Sequence, residues 1–294
     1  MIVEQLRDQT SFSPIERTIA DHFLAAREAL HEQSARSIAA QLYTAPSTVS
    51  RFCKRLGYEG YPDFRDAYLD ELRYLSSAFT DIDANQPFRK GDNTATVAAK
   101  IGALYRETVS DTVSLFDTVA LERATDLLCD ASLVIAYSAG TQQHLAQDLS
   151  DKMARIGRRV MVPPSDEVPF YLANSCSGDE VWLIMSYSGE TPTLVRTARR
   201  VHENGGTIVA ITSYGKNSLS EVADVVLHVS TREKLVEKLG AFGMSISTML
   251  LLDTLYSCVF ARDYDRNAIW RVRGGHEFEP FRDSSNPVLH DRRG

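Results

Sequence analysis

Cysteine is scarce: four residues in 294, Cys53, Cys129, Cys176 and Cys258, with no CxxC or CxH spacing among them. A disulfide framework and a zinc site are therefore poorly supported, and four reduced, mostly buried thiols are expected. Long apolar runs are also missing. No stretch approaches the roughly 20 residues of a membrane span. The opening MIVEQLRDQT carries acids where a secretory signal has a long apolar segment. The chain reads as cytoplasmic, with no membrane partner. No P-loop, GxGxxG, HExxH or Ser-His-Asp pattern is present. No catalytic residue, metal ligand or cofactor is assigned. Positive charge is in short supply as well, the net charge being −7. That argues against a surface coated in cations, but a small domain can carry its own basic face. Residues 33–58 hold Arg36, Arg51, Lys54 and Arg55 and not one acid, in a chain that has 39.

With 44% apolar residues, the chain can build ordinary cores, and its length suits about two domains. Three regions separate by pattern. Residues 1–75 look wholly helical. Residues 76–95, SSAFTDIDANQPFRKGDNTA, are polar and read as a linker. There Asp81, Asp83 and Asn85 have the opening spacing of a calcium loop. Gln86 and Asp92 replace its sharp-turn glycine and its bidentate glutamate, so the stretch is a solvated linker.

From residue 96 two helical segments lead in, with Val97, Ile101, Leu104 and Tyr105 on one face and Leu121, Ala124 and Leu128 on another. Apolar runs then follow at 133–137, 159–162, 180–185, 207–212 and 225–229. Segments of helical period alternate with them at 142–156, 166–174, 192–204 and 217–223. This pattern predicts an α/β domain, a five-stranded parallel sheet, doubly wound with helices on both faces. The stretch LVEKLGAFGMSISTMLLLDTLYSCVFARDY predicts one long apolar helix, part of it in a subunit interface. Residues 271–294 are expected to fray.

The segment SARSIAAQLYTAPSTVSRFCKRLG (34–57) has the pattern of two short helices. Ile38, Ala39 and Leu42 form the inner face of the first, Tyr43-Thr44-Ala45 the turn, and Pro46 suits the first position of the second. Val49, Phe52 and Leu56 face inward there, and Gly57 ends it. Ser47, Thr48, Ser50, Arg51, Lys54 and Arg55 remain outward. Small hydroxyls leading and cations behind suit a helix in the major groove of DNA. Arg36 and Ser37 on the first helix complete the candidate DNA contacts. A plain helical hairpin with a solvated basic face fits the spacing too; the lack of acids favours DNA.

The run SIAAQLYTAPSTVSRFCKRLGYEGYPDFR resembles the N-terminal domain of RpiR-family transcriptional regulators. Their signature TVxRFCKxLGYxGYxxF is met from Thr48 to Phe64 at every specified position. The resemblance implies an all-α helix-turn-helix DNA-binding domain over residues 1–77, acting as a dimer or higher oligomer on double-stranded operator DNA.

A second motif is SYSGET, 186–191, directly after an apolar strand and before Pro192. Thr191 is a natural N-cap, and the helix N-terminus behind it offers free N–H groups and positive dipole. Gly189 lets the backbone approach closely. Such a cup suits an anion. A similar offer follows the first strand, at Ser138-Ala139-Gly140-Thr141. Each alone fits an ordinary helix cap. Their pairing, and the order S-x-S-G-x-T, favour a ligand site, because that order resembles the phosphosugar-binding signature of the sugar isomerase (SIS) domain. The resemblance covers residues 96–262. It implies that Ser186, Ser188, Gly189 and Thr191 hold a phosphate while Ser138, Gly140 and Thr141 face the sugar. The first loop departs from the family's G-x-G-[ST], since Ser138 stands in place of the first glycine. Glu190 fills the variable position and is expected to point to solvent.

The expected boundaries are thus 1–77 for DNA binding, 78–95 for the linker, 96–264 for the SIS domain and 265–294 for a charged tail. The function expected is a transcriptional regulator of carbohydrate metabolism. A sugar-phosphate effector would alter operator binding allosterically, in a homodimer or homotetramer. The alternative is a phosphosugar isomerase with an accessory helical domain. His144, Glu167 and Glu237 are its candidate bases, but they form no recognisable constellation, and an isomerase has no need of a helix-turn-helix.

Overall fold

A computed structural model describes residues 2–77 and 82–279, with Asn286 and Val288. Asp81 of the linker and the rest of the expected tail lie outside the described residues. The chain divides into two compact units. One runs to Glu107 and includes Tyr214–Lys216; the other comprises Thr108–Ser213 and everything from Asn217.

The first unit is all-helical: α1 (Ile2–Arg7), α2 (Pro14–Ala26), a 3-10 turn at Arg27–Glu32, α3 (Ala35–Gln41), α4 (Pro46–Arg55) and α5 (Tyr61–Ser77). Helix α6 (Thr94–Ser114) begins in it. Its core is aromatic. Phe23 stacks on Phe64 at 4.7 Å, Phe12 meets Phe52 edge-on at 5.1 Å, and all four rings are buried. Rings of this size bury large areas at low entropic cost, which lets short helices hold together. Buried polar groups are satisfied: the Tyr68 hydroxyl donates to the Phe23 carbonyl at 3.0 Å. The carboxylate of buried Glu71 accepts the Ile2 and Val3 N–H groups at the start of α1.

In the second unit, α7 (Thr118–Asp130) is capped by Asp117, whose side chain accepts from Val119 and Ala120. The sheet strands follow as β1 (Leu133–Ser138), β2 (Val160–Met161), β3 (Glu180–Ser186), β4 (Thr207–Ser213) and β5 (Val225–Val229). All pairings are parallel, in the order β2-β1-β3-β4-β5. Between them run α8 (Gln143–Ala154), α9 (Glu167–Leu172) and α10 (Pro192–Glu203), and beyond them α11 (Phe242–Arg262) and α12 (Tyr264–Phe278). Alternate strand residues feed two cores. Val134, Ala136, Leu183 and Ile211 pack with α7, α8 and α11, while Ile135, Tyr137, Trp182 and Ile184 pack with α10. The five-stranded, doubly wound sheet is as expected from the sequence.

Four local expectations fail. Residues 217–223 form turns, being too few and too polar for a helix between two strands. Residues 235–241 precede the long apolar helix, which begins at Phe242. Tail residues up to Phe278 form α12, tied to α11 by the Asn267 side chain, which donates to the Phe260 carbonyl at 3.0 Å. Finally, α11 spans 21 residues at mean hydropathy 1.5 and so does reach the length and composition of a membrane span. It also carries Ser247, Thr248, Asp253 and Thr254, and buries Leu251, Leu252, Leu255 and Val259 in the sheet core.

Candidate functional site

In the first unit, α3 opens with a reciprocal cap in which Ser34 Oγ accepts from Ser37 N–H and Ser37 Oγ from Ser34 N–H. The Ser37 hydroxyl is thereby occupied by its own helix. The turn passes through Tyr43, a fully exposed residue at φ +50°, in the left-handed region that favours glycine. Helix α4 starts at Pro46 and ends on a glycine motif. Gly57 sits at φ +93° with its N–H on the Lys54 carbonyl, and Tyr58 N–H reaches Cys53 O at 3.1 Å. Val49, Phe52 and Cys53 are buried, and Leu56 is partly so. Burial pushes the Cys53 thiol up to about 12, so it is an inert core residue.

The outward face of α4 presents Ser47, Arg51 and Lys54 exposed, with Thr48 and Ser50 half-buried. Arg51 reaches its neighbour Thr48 at 3.4 Å. Arg36, Arg51 and Lys54 are paired with no acid among the described residues. Arg55 differs from them. Its guanidinium donates to Glu16 and to the Ser11 carbonyl, and lies 5.7 Å over the Phe12 ring. Burial raises the Glu16 carboxyl, but hydrogen bonds from Ser13 and Arg55 outweigh it and hold the pKa below the usual value. Arg55 thus fastens α4 to the start of α2, a role its spacing beside Lys54 does not reveal.

In the second unit, chain order reverses between β1 and β3, which lie side by side. Ser138 is in register with Met185, so the two strands end together. Clefts at such a switch point, outside the carboxyl ends of the strands, are where open α/β sheets bind ligands. Both hydroxyl-rich loops flank it.

After β3, Ser186 Oγ and Thr191 Oγ1 lie 3.0 Å apart, and Ser188 Oγ accepts from Glu190 N–H. Gly189 sits at φ +66° with its N–H on Ser186 O, and a Cβ there would fall 1.9 Å from Asn217 Oδ1. Asn217 is itself held by Thr212 and Ser220, so the loop is built tightly around a glycine. No side chain caps α10. Its leading N–H groups and the nearby hydroxyls offer donors without formal charge, which suits a ligand that brings its own negative charge. Glu190 is exposed, as expected, yet its carboxylate accepts the Ser218 N–H at 2.8 Å.

After β1, Ser138 is only 6% exposed and its hydroxyl has no hydrogen-bond partner. A buried unpaired hydroxyl is costly unless something else completes it. Gly140 takes φ +62° and Thr141 is exposed. Gln142 is buried, its amide donating to Thr248 of α11 at 3.2 Å.

Tyr187 and Glu233 carried no signal in the sequence. The Tyr187 hydroxyl donates to the Glu233 carbonyl and accepts from its N–H. The buried Glu233 carboxylate accepts from Gly243 N–H at the start of α11 and from Lys238 Nζ, and Lys238 lies 5.2 Å over the Tyr187 ring. Glu237, which the sequence suggested as a base at a helix start, is instead an exposed loop residue paired with Lys234 at 2.7 Å. His144 and Glu167 are exposed on α8 and α9. Among the described residues no group of three or more His, Cys, Asp and Glu could hold a metal ion.

Comparison with known proteins matches residues 2–73 to the helix-turn-helix domain of the rpiR family and residues 127–257 to the SIS domain. The uncharacterized HTH-type transcriptional regulator YbbH of Bacillus subtilis strain 168 is 25% identical over 253 residues, 86% of this chain and 87% of that one. An uncharacterized HTH-type transcriptional regulator of Haemophilus influenzae is 24% identical over 255 residues, 87% and 88% of the two chains. Among solved structures, the NanR protein of Vibrio vulnificus, complexed with ManNAc-6P, shares the fold at a TM-score of 0.62. The match covers 97% of this chain and 100% of that one, at 21% identity. An rpiR-type helix-turn-helix domain followed by a SIS domain makes this chain a member of the RpiR family, a helix-turn-helix transcriptional regulator.

Proposed function

We propose that the cleft between the β1 and β3 loops binds a phosphorylated sugar and that its occupancy alters the affinity of α4 for operator DNA. The observation that carries this reading is the buried, unpartnered Ser138 hydroxyl, set at the switch point beside a donor-rich helix start. The phosphate is received by Ser186, Ser188, Thr191 and the Gly189 backbone, and the sugar faces Ser138, Gly140 and Thr141. ManNAc-6P in the NanR complex supports this ligand class. On the DNA side, Ser47, Thr48 and Ser50 meet base edges, Arg36, Arg51 and Lys54 hold phosphates, and Ser37 and Arg55 keep the two helices in shape.

In this reading residues 1–77 bind DNA, 78–95 connect, 96–264 sense the effector and 265–294 form the C-terminal extension. The protein works in the cytoplasm as a homodimer or homotetramer without cofactor. It is not an enzyme: its candidate bases are exposed residues on separate elements. The effector changes operator binding only through its differential affinity for the two quaternary arrangements.

The test is a thermal-shift panel of sugar phosphates beginning with ManNAc-6P, since a ligand of the native state raises the melting temperature. A hit is then carried into an operator titration and a turnover assay. A hit that moves the operator Kd without being converted supports the regulator. Conversion of the compound would establish the isomerase instead, and a silent panel would remove the sugar phosphate.

A further inference from the structure

The outer face of α10 carries a feature that sugar-phosphate sensing does not use. Arg196, Arg199 and Arg200 stand at i, i+3 and i+4, which aligns them along one stripe of the helix. Beside them, Phe170 of α9 and Asn174 of the turn that follows border an open groove of about 820 Å³. Val195 and Pro192 add apolar lining.

Two of the guanidiniums are fixed in place. Arg196 lies 5.0 Å over the Phe170 ring. Arg200 donates to Asn174 Oδ1 at 2.7 Å and forms an exposed ion pair with Glu203 at 3.5 Å. Arg199 has no partner among the described residues. The helix dipole favours the cations of the last turn, Arg200 and His202. It gives no reason for Arg196 a turn earlier, where like charges at helical spacing repel one another. Two acids, Glu190 and Glu203, also line the groove, but Glu190 accepts the Ser218 N–H and Glu203 pairs with Arg200. Arg196 and Arg199 are left with no acidic partner among the described residues, which suits an anion from outside.

We propose that this groove is a second ligand site, for a small anion that carries at least two oxyanion groups. Two of its oxyanion groups are gripped by the arginine forks, against a wall that includes Phe170 and Val195. Guanidinium groups bind carboxylate and phosphate alike through paired hydrogen bonds, and the volume is that of a small-molecule site. The groove borders the cup at Glu190 and Pro192, but its arginines lie farther along the helix: Arg199 follows Pro192 by seven residues, about 10 Å of helix rise.

The experiment is isothermal titration of the full-length protein with citrate and with pyrophosphate, each against sodium chloride of matched ionic strength. One of the two should bind, which also decides between carboxylate and phosphate. Arg196→Ala and Arg199→Ala should each weaken that binding by about tenfold, with circular dichroism unchanged. Arg199→Lys, which keeps the charge and loses the fork, should weaken it too. The double variant Ser186→Ala with Ser188→Ala should bind as tightly as the wild type. The site is refuted if neither anion binds beyond the salt control, if the arginine variants bind unchanged, or if the serine double variant loses the ligand, which would assign it to the cup.

Discussion

The Tyr187 hydroxyl clasps the backbone of Glu233, donating to its carbonyl oxygen at 2.9 Å and accepting from its N–H at 3.0 Å. Tyr187 is the variable residue between the two serines of the cup, and Glu233 belongs to the loop after β5. The clasp ties the cup to that loop, and the Glu233 carboxylate carries the tie to the start of α11. Tyr187→Phe keeps the ring and removes both bonds. It leaves a buried N–H and a buried carbonyl unserved, at a cost of about 1–3 kcal/mol. Both tryptophans, Trp182 and Trp270, lie in the second unit, so urea unfolding followed by tryptophan fluorescence reports the loss. An unchanged midpoint would mean the clasp contributes nothing.

The two arginines of α4 should separate by assay. Arg51→Ala removes an unpaired cation, so operator affinity should fall and the salt dependence of binding should lose about one unit of slope. Its stability should stay within about 0.5 kcal/mol of wild type. Arg55→Ala releases Glu16 and the Ser11 carbonyl, destabilising the first unit by up to about 1 kcal/mol, since Arg55 is partly exposed and screened. Gel-shift titrations at several salt concentrations, beside thermal melts, distinguish the roles. Equal operator affinity for Arg51→Ala and wild type would remove Arg51 from the contact surface.

What the sequence made legible follows from which interactions are local. Period and punctuation exposed the five strands, the turn before Pro46 and the glycine ends, because β-runs, proline and Gly57 act on their own neighbourhood. Ser138, Ser186 and Gly189 were legible because both loops follow apolar strands directly. Arg55 looked equivalent to Lys54, since its partner Glu16 lies 39 residues away. Glu233 and Glu237 sit in the same charged stretch, and only tertiary contact with Tyr187 and Gly243 makes one buried and the other exposed. Helix α12 escaped notice because it offers few apolar positions, and its hold on α11 includes an asparagine side chain and one ring contact, Tyr264 on Phe260.

The two left-handed glycines of the cleft differ in what surrounds them. Gly140 has nothing within 4 Å of its would-be Cβ, so Gly140→Ala should cost only the backbone term, about 1–2 kcal/mol. Gly189→Ala adds a clash with Asn217, which is anchored on both sides, and should cost more. The order of the two midpoints in urea checks this; Gly140→Ala as the more damaging variant would overturn the local geometry.

His228 on β5 gives the second unit a pH dependence of known sign. Burial pushes its pKa below the ordinary value, outweighing the bonds to the Ser213 and Thr212 backbone that favour protonation. The unfolded chain therefore takes up a proton before the folded one does. The stability linked to His228 is present above its unfolded pKa, about 6.5, and is lost as pH falls through the lower, folded pKa. Urea midpoints should decline between neutral and mildly acidic pH, and His228→Gln should flatten that decline. A slope unchanged by the substitution would assign it to other histidines.

A buried run of hydroxyls links the first cleft loop to α6. Gln142 donates to Thr248 on α11, and the adjacent Ser247 bonds Thr112 of α6 at 2.7 Å while accepting the Ser230 N–H at 2.9 Å. Ser230 in turn donates to Asp111 of α6. Such groups are expensive to leave unpaired, so a shift of the Gln142 loop is resisted or passed on rather than absorbed. Thr248→Val keeps the shape of α11 and deletes the Gln142 partner. If the cleft takes a sugar phosphate, this variant should bind it with nearly the wild-type Kd but transmit less of it. The ratio of operator Kd values with and without effector measures the coupling free energy, and that ratio should move toward one. An unaltered ratio would show that the hydroxyl run holds the fold without carrying the signal.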